Sequence, residues 1–242
     1  MRSCSFVVAA VLVFTGAASA QTSEVGKSWN FPRSDKSQAG SAASRVEARD
    51  GLTNSKYVQK LEERMAAAAG VPSVATRLTL GAPWYAFLTP DRKLYISAGL
   101  IVRTSSEAQL AGLVAHMLAH SLGNKMDSGS NTDQCVLAKN YMPVMDAGAR
   151  SRELKATQLA LGYMKNARFD PGHLLDVLST VSYEHPAWSS AIASTDLMKL
   201  RVPLDAEAMP RGGYATDSGE FAALRNDLIP VELLRMSVKP LR

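Results

Sequence analysis

The sequence predicts an α+β fold, mostly helical, with a small β-sheet or hairpin packed against one histidine-bearing helix. Three observations lead there. Apolar residues at about 55–69 and 104–122 recur every three or four positions, the period of a helix with one buried stripe. Short extended runs at 75–80, 84–88 and 93–97 lie between those two segments. The second periodic segment carries His116 and His120, four residues apart and therefore on one helical face.

The elements follow in order. Residues 1–20 read as a secretory signal, with Arg2 as the basic start, Phe6–Phe14 as the apolar run and Ala18-Ser19-Ala20 as a small-residue cleavage site. Residues 21–53 are rich in Ser, Ala, Asn and charge without apolar periodicity, and read as a flexible lead-in. A helix is expected over 55–69, with Val58, Leu61, Met65 and Ala68 on its buried stripe and Gly70-Val71-Pro72 ending it. Thr89-Pro90-Asp91-Arg92 is a turn joining two of the extended runs into a hairpin. Thr104-Ser105-Ser106-Glu107 has the capping-box pattern at the start of the histidine helix, and Gly123-Asn124 closes it. Residues 125–133 read as loop, and further helices are expected at about 134–142, 151–167, 171–182 and 186–200. The main domain is thus placed at 54–201. Pro203, Pro210, Gly212, Gly213 and Pro230 make 202–242 an extension of loops and short helices.

Composition narrows the partners. Cleavage of the signal removes Cys4 and leaves Cys135 alone, so no internal disulfide is expected and a packed core must hold the chain. The 222 residues after position 20 suffice for one such core. Lys and Arg are scattered and the net charge is only +5, which argues against a nucleic-acid partner. No later segment is apolar for the ~20 residues a membrane crossing needs. The expectation is an exported protein, periplasmic or extracellular, with no transmembrane segment once the signal is removed.

His116-Met117-Leu118-Ala119-His120 has the form of the zinc-protease motif His-Glu-x-x-His, with methionine in the position of the glutamate. Two histidines at this spacing chelate one metal ion. The missing glutamate is the general base that takes a proton from the attacking water. Other readings of these residues stand beside this one. The histidines can be core residues of an amphipathic helix, and Met117 can be an apolar filler or, with two histidines, a soft ligand for copper(I). A firm zinc site needs a third protein ligand, and spacing alone does not choose among Glu153, Glu107 and Glu184.

Several short motifs in the right order resemble the HtpX-like zinc metallopeptidases, the family that also holds the CaaX prenyl proteases. They are Ala86-Phe87-Leu88, Tyr95-Ile96-Ser97-Ala98-Gly99-Leu100, the two histidines, Glu153-Leu154-Lys155-Ala156-Thr157, Phe169-Asp170-Pro171 and His185-Pro186, spanning about residues 57–195. The resemblance implies one zinc ion per chain, held by His116, His120 and Glu153. His185 is a possible additional ligand. It also implies that Leu94, Tyr95, Ile96, Ser97, Ala98 and Gly99 form a cleft-edge strand, which would bind an extended polypeptide by strand addition without needing the glutamate.

Three positions depart from the family pattern: Met117 for the glutamate, Thr157 for an aspartate suited to orienting a ligand histidine, and Ala191 for an arginine. A positioned base or acid contributes about 10²–10⁴-fold to catalysis. The expectation is therefore an exported zinc metallopeptidase-family protein that is proteolytically inactive or severely impaired and that binds a polypeptide or envelope protein. The alternatives are an active metalloendopeptidase with an unconventional base and a metal-free interaction domain.

Overall fold

Ser55 opens the first helix as a side-chain cap. Its Oγ accepts from the Val58 amide, and helix α1 runs Lys56–Ala69. The structure is a computed structural model and describes residues 51–81, 84–89, 91–126, 136–138, 148–184, 192–207, 210 and 213–237. Gly70 ends α1 at a left-handed φ of 68°, where its N–H and that of Val71 close on the Ala67 and Ala66 carbonyls. Val58, Leu61 and Met65 are buried on one stripe, as their spacing predicts.

Among the described residues the sheet has five strands. Their order is β1 (Leu52–Thr53), β2 (Ala75–Thr79), β4 (Lys93–Ser97), β3 (Tyr85–Leu88) and β5 (Val136–Ala138). β3 and β4 make the expected antiparallel hairpin, with Phe87 opposite Tyr95 and Leu88 opposite Leu94. Its turn is closed by the Thr89 and Arg92 amides, and by a Thr89 side chain bonded to both the carbonyl and the N–H of Lys93. Ala86, Leu88, Leu94 and Ile96 face the helical core, while the Phe87 and Tyr95 rings stack with centroids 4.8 Å apart.

The topology corrects the edge-strand reading. β2 lies parallel to β4 on the side away from β3, so Leu94, Tyr95 and Ile96 are paired on both sides, while Ser97 pairs with Thr79 and its Oγ accepts from the Tyr85 amide. Ala98 and Gly99 belong to helix α2 (Ala98–Arg103), capped by Ser97. The continuous apolar run Leu94-Tyr95-Ile96 is what a strand buried on both faces carries, and that signal pointed to the middle of a sheet.

The expected helix at 134–142 is also corrected. Val136–Ala138 pairs antiparallel with Tyr85–Phe87, satisfying the side of β3 that β4 leaves open. Leu52 and Thr53, placed in the flexible lead-in, pair with β2 instead.

The histidine helix, α3, runs Glu107–Met126, past Gly123-Asn124. Its cap is Ser106, whose Oγ accepts from the Gln109 amide while the Gln109 side chain accepts from Ser105. Thr104, read as the cap, instead donates to the Ile101 carbonyl at the end of α2. From Ala108 to His120 every residue of α3 except Gln109 is buried, because α1, β3, α4 (Ala149–Asn166) and α5 (Gly172–Glu184) surround it. Gly112 permits the closest approach: a Cβ there would lie 2.9 Å from Leu174 Cβ and 3.1 Å from Met164 Sδ.

Two further helices depart from expectation. Ala193 is extended, so the helix predicted at 186–200 does not run unbroken. Helix α6 instead spans Ser194–Ala206. Where loops and short helices were expected, α7 runs Gly219–Ser237 with Pro230 inside it. Ser218 caps α7 through the Phe221 amide, and two bonds lock the start of α7 to the start of α3: the Asp217 carboxylate accepts from the Glu107 amide and the Glu107 carboxylate accepts from the Ser218 amide. Tertiary packing and capping outweigh the proline that argued against a helix. Phe221 and Leu228 join the core formed by α1, the sheet and α3. Among the described residues no helix is long and apolar enough to cross a membrane. The signal segment and His185 lie outside the described residues.

Candidate metal centre

His116 and His120 leave α3 on one face, one turn apart, with ring centroids 4.8 Å apart and planes at 75°. Glu153 reaches them from the first turns of α4. Its Oε2 lies 3.1 Å from His116 Nε2 and 3.1 Å from His120 Nε2, and the two Nε2 atoms are 3.2 Å apart. Three ligand atoms thus form a nearly equilateral triangle. Both histidines are buried and Glu153 is only 13% exposed. Among the described residues no further His, Cys, Asp or Glu joins the group.

Hydrogen bonds alone do not explain such a triangle. Each neutral imidazole carries one proton, so hydrogen bonds satisfy at most two of the three edges: with both Nε2–H groups donating to Glu153 Oε2, the two nitrogens meet 3.2 Å apart with no acceptor between them. Zinc held at 2.0–2.1 Å by N and O ligands in tetrahedral geometry places those ligands about 3.3–3.4 Å apart. The observed edges are close to that face, so the donor set fits zinc in both chemistry and spacing.

Electrostatics favours the ligand form. Burial keeps His116 below its ordinary pKa, against the pull of Glu153, so its imidazole is neutral at pH 7. Burial alone would raise the Glu153 carboxyl, but His120 and His116 beside it win and hold it well below the usual carboxylate range. A deprotonated carboxylate and a neutral imidazole are the states a metal requires.

Residues 52–142 match the family model for Peptidase family M48. The match covers under half of the chain, takes in both histidines and stops short of Glu153. The third corner of the triangle is therefore a finding of the geometry. No curated protein matches the chain significantly.

Met117 is 1% exposed and belongs to the hydrophobic core, packed as an apolar filler between the two ligand positions. Glu107, the rival third ligand, is engaged at the start of α7. The Glu184 side chain is outside the described residues. Thr157 sits one turn beyond Glu153 and donates to its carbonyl at 2.8 Å.

Two supports were not anticipated. Arg150 and Asp196 form an ion pair at 2.7 Å that ties the start of α4, three residues before Glu153, to the start of α6. Gly112 lets α4 and α5 close on α3 one turn before His116. A glycine four residues ahead of the first histidine, on a face otherwise rich in Leu, was the visible signal of that close packing.

Proposed function

We propose that this chain is a zinc metallopeptidase-family protein in which His116, His120 and Glu153 hold one zinc ion and proteolysis is lost or severely impaired. The convergence of Nε2, Nε2 and Oε2 within 3.2 Å of one another carries the metal reading. Bound zinc would supply Lewis-acid polarisation of a carbonyl.

What this chain lacks is the proton transfer. The thioether of Met117 neither takes a proton from water nor passes one to a leaving amine, and among the described residues no other carboxylate reaches the triangle. The proposed role is binding of a polypeptide in the exported compartment, as an assembly or quality-control factor of the HtpX-like kind. The family match at 52–142 and the basic-apolar-small pattern of residues 1–20 support that reading.

Metal analysis of the purified protein tests it. The expected result is about one zinc per chain, removed by His116→Ala, His120→Ala or Glu153→Ala. A wild type without zinc overturns the proposal. Casein cleavage is expected only from Met117→Glu. Cleavage by wild type that EDTA abolishes would overturn the inactive reading and place an unconventional base at the site.

A further inference from the structure

The two helices that carry the triangle hold almost no acid. Glu153 is the single acidic residue of α4, and Glu107 is the single one of α3. Glu107 stands at the far end of α3 from the histidines, with its carboxylate taken up by the Ser218 amide. Within one turn of Glu153, α4 carries Arg150, Arg152 and Lys155. The buried chain neighbours of the three corners, Met117, Ala119, Ala156 and Thr157, are all uncharged.

Counting charge shows what such a centre accepts. Ligand histidines are neutral, so two imidazoles, one carboxylate and a zinc ion sum to +1. A buried charge without a counter-charge is costly, and zinc with three protein ligands keeps a fourth position open. In the His-Glu-x-x-His arrangement the glutamate beside the metal supplies a second negative charge. Met117 supplies none, and among the described residues no further acid joins the group. Exposure rises from 1% at His116 to 9% at His120 and 13% at Glu153, so solvent reaches the triangle from its His120–Glu153 edge.

Resting on the metal reading above, we propose that the missing charge at Met117 makes this centre a receptor for carboxylates. The group it takes from a polypeptide is the C-terminal carboxylate or an acidic side chain, rather than an internal amide. One carboxylate brings the centre to neutrality, whereas an amide carbonyl brings no charge. A glutamate at position 117 would repel the same ligand, so the substitution that removes proton transfer is also the one that admits the anion.

The test is ligand binding to the full chain, with cobalt(II) in place of zinc as reporter and the change in its visible absorption as readout. The probes are acetate, a pentaalanine with a free C-terminus, the same peptide amidated, and an amidated peptide with one internal glutamate. Either carboxylate-bearing peptide is expected to bind at least about tenfold tighter than the plain amide. A stronger response to the free C-terminus identifies the chain end as the source of the carboxylate, and a stronger response to the internal glutamate identifies the side chain. Met117→Glu should weaken acetate binding about 10–100-fold. Met117→Gln, matched in shape but uncharged, should bind acetate as wild type does. If Met117→Glu does not fold, the acid–amide comparison in wild type and Met117→Gln decides.

A loaded wild type that binds acid and amide equally, or neither, overturns this inference and leaves the metal reading standing. So does equal binding of acetate by the metal-free protein. Weakening by Met117→Gln as large as by Met117→Glu also overturns it, because packing rather than charge would then govern the ligand. A wild type that takes up neither cobalt nor zinc overturns the metal centre itself.

Discussion

At the scale of single residues, the centre is decided by what a side chain can accept or give. Glu153 and the two histidines each offer one lone pair to a common point. Met117, one position along α3 from His116, offers no proton-transfer group and is enclosed in the core. Its contribution is therefore to stability. Met117→Ala should lower the unfolding free energy by about 2–5 kcal/mol, as truncations of buried Met do, with the midpoint of urea unfolding as the measurement. A cost near zero would mean that the thioether does not pack as described. The spacing of His116 and His120 was legible because helical periodicity puts i and i+4 together whatever the fold. Glu153 was not selected by spacing, because nothing local ties a residue 37 positions from His116 to that point; the resemblance pointed to it and the packing of α4 on α3 brings it there.

At the scale of elements, two carboxylates fasten segments and respond to pH in opposite directions. Asp196 joins α6 to α4, and its hydrogen bond from Arg150 holds it below its ordinary value of 3.8. The folded state binds that proton less tightly than the unfolded chain. The contribution is complete above pH 3.8 and lost as pH falls through the folded pKa. Glu62 joins α1 to the segment before β2, accepting from the Ser73 hydroxyl at 2.6 Å and the Val74 amide at 2.9 Å. Burial raises it above 4.5 despite those bonds, so stability falls as pH rises from that value through the folded pKa. Asp196→Asn should therefore flatten the acid side of a stability–pH curve, and Glu62→Gln should remove the decline above 4.5. Thermal unfolding across pH checks both, and matching slopes in the two variants would contradict the assignment. The start of α1, its glycine stop and the 89–92 turn were legible because caps and turns are local chemistry. β5 was not: three residues of strand depend on the partner β3 presents, which no window around Val136 contains.

For the molecule as a whole, α7 is part of the same core as the histidine helix α3. Phe221 is 1% exposed, stands under the Arg225 guanidinium and lies 6.2 Å from the Tyr57 ring of α1. Phe221→Ala should cost about 3–5 kcal/mol, read by denaturant unfolding, and an independently folding tail would show no such loss. The prolines and glycines after residue 200 concealed this, because they report local preference. The link between Glu107 and residues 217–218 spans more than a hundred positions.

The triangle also has a topological meaning. His120 and Glu153 stand 33 positions apart in the chain, on two helices that meet only at their faces. An ion gripped by both is a removable staple across that loop, restricting the unfolded chain much as a disulfide does. Under the export proposed above, Cys4 would leave with residues 1–20 and Cys135 would be the single cysteine of the remaining chain, which then has no internal disulfide. In such a chain, endurance outside the cell would depend on how much metal the surroundings supply.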